Sequence, residues 1–315
     1  MLHEVRALQG ATPRLVDYLR ARLAAVPTRY VGELVTRGAV RVNGSPGRTY
    51  QPLHDGDQVA LDPAALAALA RVGRWVAPEP GRLDVVHEDE HLLVVCKPPG
   101  VHVHPLGALR TGTLQNALVY YAGGRAETPW AAWRPRPAQR LDRAASGLLV
   151  VAKQEAVAAA LAELLAANRL SRRYLATVRG VVAEPAGTVD APLGRDPTFD
   201  YRRAALPLAL GGQEAITHWR VHERLAERTL LEVTTETGRT HQIRAHLALI
   251  GHPIVGDTLY SHPPPAAGAD RGSTSAVQIA LHAAHVAFRH PRTGASLACS
   301  APPPAGFGQV PSVPA

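Results

Sequence analysis

The sequence predicts an α+β protein with two domains. At 315 residues the chain exceeds the usual size of one domain. Its 46% hydrophobic and 19% charged residues suffice for a buried core without disulfides or metal. Helix-like and strand-like patterns of apolar residues occur in both parts of the chain. We expect a small N-terminal α/β domain at residues 1–62, a linker at 63–80, a large domain at 81–305 and a disordered tail at 306–315.

The first 62 residues predict two helices followed by a strand, a turn and a second strand. RLVDYLRARL has apolar residues at helical spacing, and Val31, Leu34 and Val35 continue a second short helix. AVRVNG alternates like a strand and ends in Asn43-Gly44, a turn signal, while DGDQVAL supplies another strand.

The second part begins with an alanine-rich helix from Pro63, followed by the turn-forming WVAPEPG. RLDVVHEDEHLLVVCKPPG then predicts a β-hairpin, and SGLLVVAK predicts a buried strand. QEAVAAALAELLAANRL favours a helix, and SRRYLATVRG favours a short strand that carries Tyr174. GRTHQIRAHLALIGHP predicts a helix with Thr240 as its N-terminal cap.

A formal net charge of +8 favours a polyanionic partner, with nucleic acid as the leading class. Lys97 and Lys153 are the only lysines, so nearly all of the basic charge is arginine, which grips phosphate and stacks on bases. A compositional bias towards alanine, proline and arginine would explain the same charge. Charge alone therefore does not decide between these explanations.

Other features narrow the class of protein. Cys96 and Cys299 form no CxxC pair, which argues for a reducing compartment such as the cytoplasm. No apolar run reaches about 18 residues, and the N-terminus lacks a signal core, so we expect no membrane association. His87, His91, His102 and His104 raise the hypothesis of a metal site. His102 and His104 would share one strand face, but no third ligand of matching geometry is evident beside them, and we expect no metal.

Asp142 stands between Arg140 and Arg143, ahead of a small-residue turn that leads into the buried strand SGLLVVAK. A rigid strand would fix this loop, and a neighbouring arginine would keep the carboxylate charged, as a nucleophile requires. An aspartate that caps a turn or pairs at the surface is the alternative. The RLD tripeptide alone favours that alternative.

The segment TRYVGELVTRGAVRVNG, together with LHDGDQVAL, resembles the S4 domain, a small RNA-binding module. The resemblance covers about 50 residues. It implies an RNA-facing surface formed by Arg29, Arg37, Arg41 and Asn43, with a role in positioning the RNA backbone. A merely solvated helix face is the alternative.

RLDRAASGLLVVAK, RRYLATVRG, TGRTHQIRAHL with GHPIVGDTLY, and the hairpin ending in KPPGVHVHP together resemble pseudouridine synthases of the RluA family, ribosomal large-subunit type. The resemblance spans roughly residues 82–302. It implies the pseudouridine synthase fold, a mixed and largely antiparallel sheet with flanking helices. It also implies a monomer that isomerises uridine in RNA without cofactor or metal.

The resemblance implies roles for three catalytic residues. Asp142 matches the aspartate that promotes cleavage of the glycosidic bond at the ribose, and Tyr174 matches the tyrosine beneath the uracil. Arg244 matches the arginine that pairs with this aspartate, and Leu247 is a candidate for the wall of the uracil pocket. Arg140 would fill the space left by a flipped nucleotide. The further candidates for RNA contact are Arg143, Arg173, Arg239, Thr240, His241 and Gln242.

The chain departs from the family pattern beside the aspartate. Gln139 replaces the histidine of the HRLD motif, Ala144 and Ala145 replace an acid and a threonine, and Cys96 replaces an asparagine. These changes remove side chains that would position the loop. The function expected is an RNA pseudouridine synthase acting on large-subunit (23S) ribosomal RNA. The alternatives are transfer RNA as substrate, an inactive RNA-binding or ribosome-assembly factor, and, more distantly, a metal hydrolase.

Overall fold

The computed structural model describes residues 2–5, 12–23, 26–73, 76–123, 133–199, 201–261 and 278–308. The chain forms two compact units. Unit 1 comprises Met1–Leu83, His102–Pro137 and Lys153–Glu155. Unit 2 comprises Asp84–Val101, Ala138–Ala152 and Ala156–Ala315.

The regular elements are short. The helices are α1 (Leu15–Arg22), α2 (Thr28–Thr36), α3 (Pro63–Gly73), α4 (Leu114–Ala122), α5 (Glu155–Ala166) and α6 (Gln242–Leu249), with a 3₁₀ turn at Leu208–Leu210. The strands are β1 (Leu2–Glu4), β2 (Val40–Val42), β3 (Ser45–Pro46), β4 (Gln58–Leu61), β5 (Asp84–Glu88), β6 (Leu92–Lys97), β7 (Arg136–Pro137), β8 (Ser146–Ala152), β9 (Ser171–Arg179), β10 (Ala186–Asp190), β11 (Leu193–Arg195), β12 (Arg203–Ala205), β13 (Ile216–Arg224), β14 (Arg228–Thr235), β15 (Leu281–Arg289) and β16 (Ser296–Ser300).

Unit 1 contains the predicted order of two helices, a strand, a turn and a strand. The helices α1 and α2 bury the apolar residues whose spacing predicted them, including Leu15, Leu19 and Leu34. The sheet is antiparallel, in the order β1-β4-β2-β3. Asn43 and Gly44 both have positive φ, of 50° and 80°, which suits a tight two-residue hairpin.

Unit 2 is built on one large sheet in the order β10-β13-β14-β9-β15-β8-β6-β5, with β16 paired to β15. Every pairing along this order is antiparallel except that of β15 with β8. The predicted mixed, largely antiparallel sheet is therefore confirmed, as is the predicted hairpin, which is β5 and β6.

Strand β8 lies inside the sheet, and all seven of its residues are buried. Its near-continuous apolar sequence suits a strand covered on both faces. Helix α5 packs Val157 and Leu161 into one core cluster, and α6 packs Ile243 and Leu247 into another. The loop that carries Asp142 thus leads directly into a rigid part of the fold.

Gly147 allows β8 to approach β15. Its φ is +116°, and a Cβ at this position would lie 2.4 Å from the backbone nitrogen of Ala283. No other residue type fits so close a backbone contact.

The domain limits differ from those predicted. Residues 63–80, expected to be a linker, contain α3, and Leu66, Leu69 and Ala77 are buried in the core of unit 1. The alanine-rich helix was predicted from Pro63, but its burial in the core of unit 1 was not. An amphipathic helix next to an apolar core gains stability by burying its apolar side.

The end of the chain also differs in part. Of the predicted disordered tail at 306–315, residues 309–315 lie outside the described residues. Phe307 packs against a core cluster of unit 2, and the Arg228 guanidinium donates to the carbonyl oxygen of Gly308. The described part of this segment is therefore bound to unit 2. Within the described residues, no helix has the length and apolar character needed to cross a membrane.

Candidate active site

A cavity opens in unit 2. Its volume of about 560 Å³ lies within the usual range of ligand pockets. Several elements contribute to its walls. They are the loop before β8, with residues 138–142 and Ala145; strand β9, with Arg172 and Tyr174; the segment 235–241 after β14; and the first turn of α6, with residues 242–244.

Asp142 lies at this cavity beside a buried arginine. Nη1 of Arg244 donates to Oδ2 of Asp142 at 3.2 Å. The other edge of the same guanidinium binds Asp257, with Nε to Oδ2 at 2.6 Å and Nη2 to Oδ1 at 2.9 Å. Arg244 therefore joins two carboxylates, one at the cavity and one in the interior. We call Asp142, Arg244 and Asp257 the Asp142 cluster.

The deeper carboxylate fixes the guanidinium. Asp257 is 1% exposed, and its Oδ1 also accepts the backbone N–H groups of Leu259 and Tyr260. Burial alone would lower the pKa of Arg244, but the charges of Asp257 and Asp142 raise it above its ordinary value. The arginine thus keeps its charge, and the bidentate contact leaves Nη1 directed at Asp142.

Lys97, the last residue of β6, holds the Asp142 loop from behind. Its side chain is fully buried, and Nζ donates to the carbonyl oxygens of Pro98, Val101 and Arg143, at 2.7, 3.0 and 3.2 Å. Burial lowers the pKa of Lys97 to about 8, against an opposing attraction from Asp142. This lysine ties the residue after Asp142 to the end of a core strand.

The departures from the family pattern leave the loop held through its backbone. The N–H of Ala145 donates to the Asp142 carbonyl at 3.2 Å, and the N–H of Gly100 donates to the Arg143 carbonyl at 2.8 Å. The carbonyl of Ala144 accepts the N–H of Ile279. These backbone hydrogen bonds therefore support the loop even though Ala144 and Ala145 have no polar side chains. Gln139 lines the cavity, and its buried Oε1 has no hydrogen-bond partner among the described residues.

Tyr174 forms another part of the cavity wall. It is buried on β9, and burial raises the pKa of its phenol, while the charge of Arg172 acts in the opposite direction. The side chain is consequently a neutral phenol near pH 7. It offers a flat apolar face together with one hydroxyl.

His241 precedes α6 in a strained conformation. Its φ is +56°, in the left-handed region, and its Nδ1 lies 3.1 Å from the Tyr260 hydroxyl. Burial lowers the pKa of this histidine, with smaller opposing effects from Asp142. Non-glycine residues held in this region are frequent at functional sites. The predicted cap, Thr240, is wrong: the N-cap is His241, and it makes no side-chain capping bond.

Five of the predicted RNA-contact residues line the cavity: Arg140, Arg239, Thr240, His241 and Gln242. All five also have contacts within the protein, including the His241–Tyr260 contact described above. Arg140 donates to the Thr240 hydroxyl at 3.4 Å, and Arg239 donates through Nε to the Glu214 carbonyl at 2.9 Å. Gln242 is buried, and its amide bridges Thr237, Arg239, Ile216 and Thr217, which is a structural role.

Three other predicted residues are not in the cavity wall. Leu247 is fully buried in the core of unit 2, because it lies on the face of α6 that packs on the sheet. Arg143 donates through Nε to the Gly100 carbonyl. Arg173 lies 3.4 Å from Glu232, since successive residues of a strand point to opposite faces and its neighbours Arg172 and Tyr174 take the cavity side.

Sequence reasoning missed Lys97, Arg172 and Asp257. Strand alternation from Tyr174 would have selected Arg172 in place of Arg173. Lys97 and Asp257 stand in quoted motifs, KPPG and GDTLY, but their partners lie at positions that no local pattern encodes.

The predicted RNA-facing residues of unit 1 have local partners. Arg37 pairs with Glu33 at 2.5 Å, Nη1 of Arg41 donates to the Gly44 carbonyl at 3.0 Å, and Arg29 stacks on Tyr30. Asn43 shapes the hairpin, because its side chain binds Asp57 and the N–H of Gln58. Asn43 therefore has a structural use, whereas the arginines remain candidates for RNA contact.

The four histidines of the metal hypothesis have no common centre within one unit: His87 lies 3.1 Å from Asp89 in unit 2, and His104 contacts Gln115 in unit 1. Among the residues that the structure describes, no three His, Cys, Asp or Glu side chains are arranged to hold a metal ion.

The cavity presents a carboxylate clamped by a buried arginine, together with a phenol and further arginines. These are groups suited to carboxylate chemistry on an anionic substrate. Comparison with known proteins identifies the family. A family model described as RNA pseudouridylate synthase matches residues 91–249. This chain belongs to the RNA pseudouridylate synthase family, as its motifs predicted.

Two bacterial relatives match over most of their length. Ribosomal large subunit pseudouridine synthase D of Pseudomonas aeruginosa is 38% identical over 304 residues, covering 95% of this chain and 88% of the relative. The uncharacterized RNA pseudouridine synthase YlyB of Bacillus subtilis is 38% identical over 283 residues, covering 89% of this chain and 87% of the relative.

A solved structure supports the same assignment. Human RNA pseudouridylate synthase domain containing 1 aligns with a TM-score of 0.55 and 27% identity, covering 72% of this chain and 86% of that chain. The protein is therefore an RNA pseudouridine synthase by family. The family match begins at residue 91, so the S4-like character of residues 1–62 stays a prediction.

Proposed function

We propose that the protein isomerises uridine to pseudouridine in large-subunit ribosomal RNA, with Asp142 as its catalytic carboxylate. The observation that carries this proposal is the contact between Asp142 and Arg244 at the cavity, with Arg244 itself locked by Asp257. A carboxylate oriented by a rigid, permanently charged group needs little reorganisation to react.

The chemistry needs no net change in atoms. Asp142 drives cleavage of the bond between N1 of the uracil and C1′ of the ribose, where a carboxylate acts as nucleophile. The freed uracil turns, C5 bonds to C1′, and the carboxylate is released. C5 then loses its proton and N1 gains one, so reactant and product are isomers. These reaction steps require neither a cofactor nor a metal.

Tyr174 serves the uracil in this proposal. Its ring provides a surface on which the base stacks, and its hydroxyl takes part in proton transfer at C5. The raised pKa means that the hydroxyl carries its proton when the substrate binds, so it must pass that proton on as another arrives.

The target nucleotide must leave its stack to reach Asp142, at a cost of a few kcal/mol. Arg140 stands at the cavity, exposed, with one weak contact to Thr240. In our proposal it occupies the space that the nucleotide vacates or clamps the adjoining phosphate. Arg239 and His241 supply further contacts to the RNA backbone.

The ribosomal target rests on relatives and on unit 1. Several relatives, including the Pseudomonas aeruginosa protein, are named for the ribosomal large subunit. The S4-like arginines Arg29, Arg37 and Arg41 would hold RNA backbone without reading its sequence. The protein would then act as a monomer in the cytoplasm, where ribosomes are assembled.

Pseudouridine mapping tests this function. Ribosomal and transfer RNA from a deletion strain are compared with RNA from strains that carry the wild-type gene, Asp142→Asn or, as a matched control, Arg220→Gln at an exposed ion pair. We expect one or a few large-subunit pseudouridines to vanish on deletion and to return with wild type and Arg220→Gln but not with Asp142→Asn.

Two results would contradict the proposal. Loss of transfer RNA sites alone would move the substrate to transfer RNA. Unchanged pseudouridine in every RNA, with ribosome assembly impaired on deletion, would favour a binding factor without chemistry.

A further inference from the structure

The arginines of the cavity differ in how the protein uses them. Three of the four donate to protein oxygen atoms: Arg140 to Thr240, Arg239 to Glu214, and Arg244 to Asp142 and Asp257. The fourth, Arg172, makes no hydrogen bond or ion pair with any described residue, and its Nε is buried without an acceptor.

The position of Arg172 is set by strand β9. It precedes Tyr174 by two residues, so both side chains stand on the cavity side, about 7 Å apart along the strand. Arg173 between them faces away and pairs with Glu232. Arg172 is therefore held beside the aromatic wall by a core strand and not by a flexible loop.

A buried donor without an acceptor is unfavourable, and native proteins retain few of them. Such a group is explained when a ligand brings the acceptor. The guanidinium has a planar fork of donors that matches two oxygen atoms of one phosphate. The charge of Arg244 is already balanced by two carboxylates, whereas no acid pairs with Arg172 among the described residues.

We propose that Arg172 binds a phosphate of the RNA backbone next to the target nucleotide. This inference rests on the proposed function, in which the uracil lies against Tyr174 and the ribose lies at Asp142. A phosphate of that nucleotide requires a cationic donor, and Arg172 is the cavity arginine that has neither a hydrogen bond nor an ion pair among the described residues. By holding this phosphate, Arg172 would fix which nucleotide of the RNA lies in the cavity.

The salt dependence of RNA binding tests the assignment. The probe is a transcript of large-subunit ribosomal RNA, and all proteins carry Asp142→Asn so that bound RNA is not converted. Arg172→Gln removes the charge, Arg172→Lys keeps it, and Arg220→Gln is the matched control, because Arg220 is an exposed arginine paired with Glu232. Affinity is measured over a series of salt concentrations.

We expect Arg172→Gln to weaken binding roughly tenfold and to reduce the slope of log affinity against log salt by about 0.7 to 0.9, the value of one phosphate contact. Arg172→Lys should keep the slope of the Asp142→Asn protein, and Arg220→Gln should change affinity less than about twofold. An unchanged slope with weaker binding would mean a contact to the neutral base, and no change at all would mean no contact; either overturns the proposal.

Two further measurements keep the outcome unambiguous. Because Arg172 has no acceptor among the described residues, Arg172→Gln should melt within about 5 °C of its parent, and a larger fall would reveal a structural role that overturns the assignment. Pseudouridine formation on the same transcript is followed with proteins that retain Asp142. If wild type converts no uridine, the proposed function fails on this RNA, while the salt slopes still decide the role of Arg172.

Discussion

The arginine of the Asp142 cluster and the arginines on the surface of unit 1 carry the same charge but differ in burial and in pairing. Arg244, in the Asp142 cluster, is 5% exposed and is bound by two carboxylates through three of its nitrogen atoms. Three arginines of unit 1, Arg29, Arg37 and Arg41, lie on the surface, and Arg37 pairs with Glu33 one helical turn away.

This difference in burial suits the two groups to different tasks: a buried arginine can orient a reacting group, whereas an exposed arginine can attract RNA. A buried charge must be fully paired, and the pairing then fixes its geometry to the precision that a reaction needs. An exposed charge is screened by salt and costs little to move, so it attracts a polyanion without specifying a geometry. Substitutions in the two regions should therefore differ in size and in their response to salt.

The largest effect after loss of Asp142 is expected at the phenol. Tyr174→Phe keeps the ring and removes the hydroxyl, so we expect the rate at saturating RNA to fall about 10²- to 10⁴-fold, the usual value of a proton-transfer group, with RNA affinity retained. Tyr201→Phe is the control, because Tyr201 is 37% exposed. A fall of less than about threefold for Tyr174→Phe would leave Tyr174 with stacking alone.

The buried acid of the Asp142 cluster should matter for stability and rate together. Asp257→Asn leaves the Arg244 guanidinium buried with one charged partner fewer, and we expect the free energy of unfolding to fall by about 3 kcal/mol, with a slower reaction. Glu232→Gln, at a more exposed pair, should cost no more than about 1 kcal/mol. Equal losses in denaturant titrations would remove the contrast between the two kinds of pair.

The protonation state of Lys97 should make the reaction rate depend on pH, because this lysine holds the Asp142 loop in place. Its ammonium has three hydrogens for three carbonyl oxygens, while the amine has two and no charge. The charged form predominates below its pKa of about 8, so the rate should fall as pH rises through about 8, by roughly tenfold at pH 9.

The remaining lysine provides the control for this pH dependence. Lys153→Met should keep the same decline, whereas Lys97→Met should be slow and lack it. Persistence of the decline in Lys97→Met would assign it to another group.

The smallest effect is expected on the surface of unit 1. Arg29→Gln or Arg37→Gln should weaken RNA binding about two- to threefold in low salt and hardly at all in high salt, since each removes one screened contact. Arg20→Gln, at the exposed pair with Asp17 on α1, serves as the comparison. Identical behaviour of all three would mean that Arg29 and Arg37 have no particular role in RNA binding.

Much of the local structure followed from periodicity. The buried spacing of α1 and α2, the hairpin of β5 and β6, and the wholly buried β8 are encoded within short segments, and the structure has them where predicted. The sites were predicted less evenly. Asp142 was selected by the family motifs read in order, since its place ahead of β8 alone favoured a surface turn. Leu247 and Arg173 were misplaced, because the face that each presents depends on how its element packs.

The sequence by itself determined most of the elements, the family and the choice of Asp142 as the proposed catalytic acid, since these depend on local spacing and on motifs read in order. Only the tertiary structure decided that Arg244 reaches Asp142 across 102 residues, that Asp257 locks it, and that Arg172 stands unpaired among the described residues of the cavity. The physical reason is that a buried charge is satisfied by whichever group the sheet order brings beside it, and sheet order arises from contacts between distant segments.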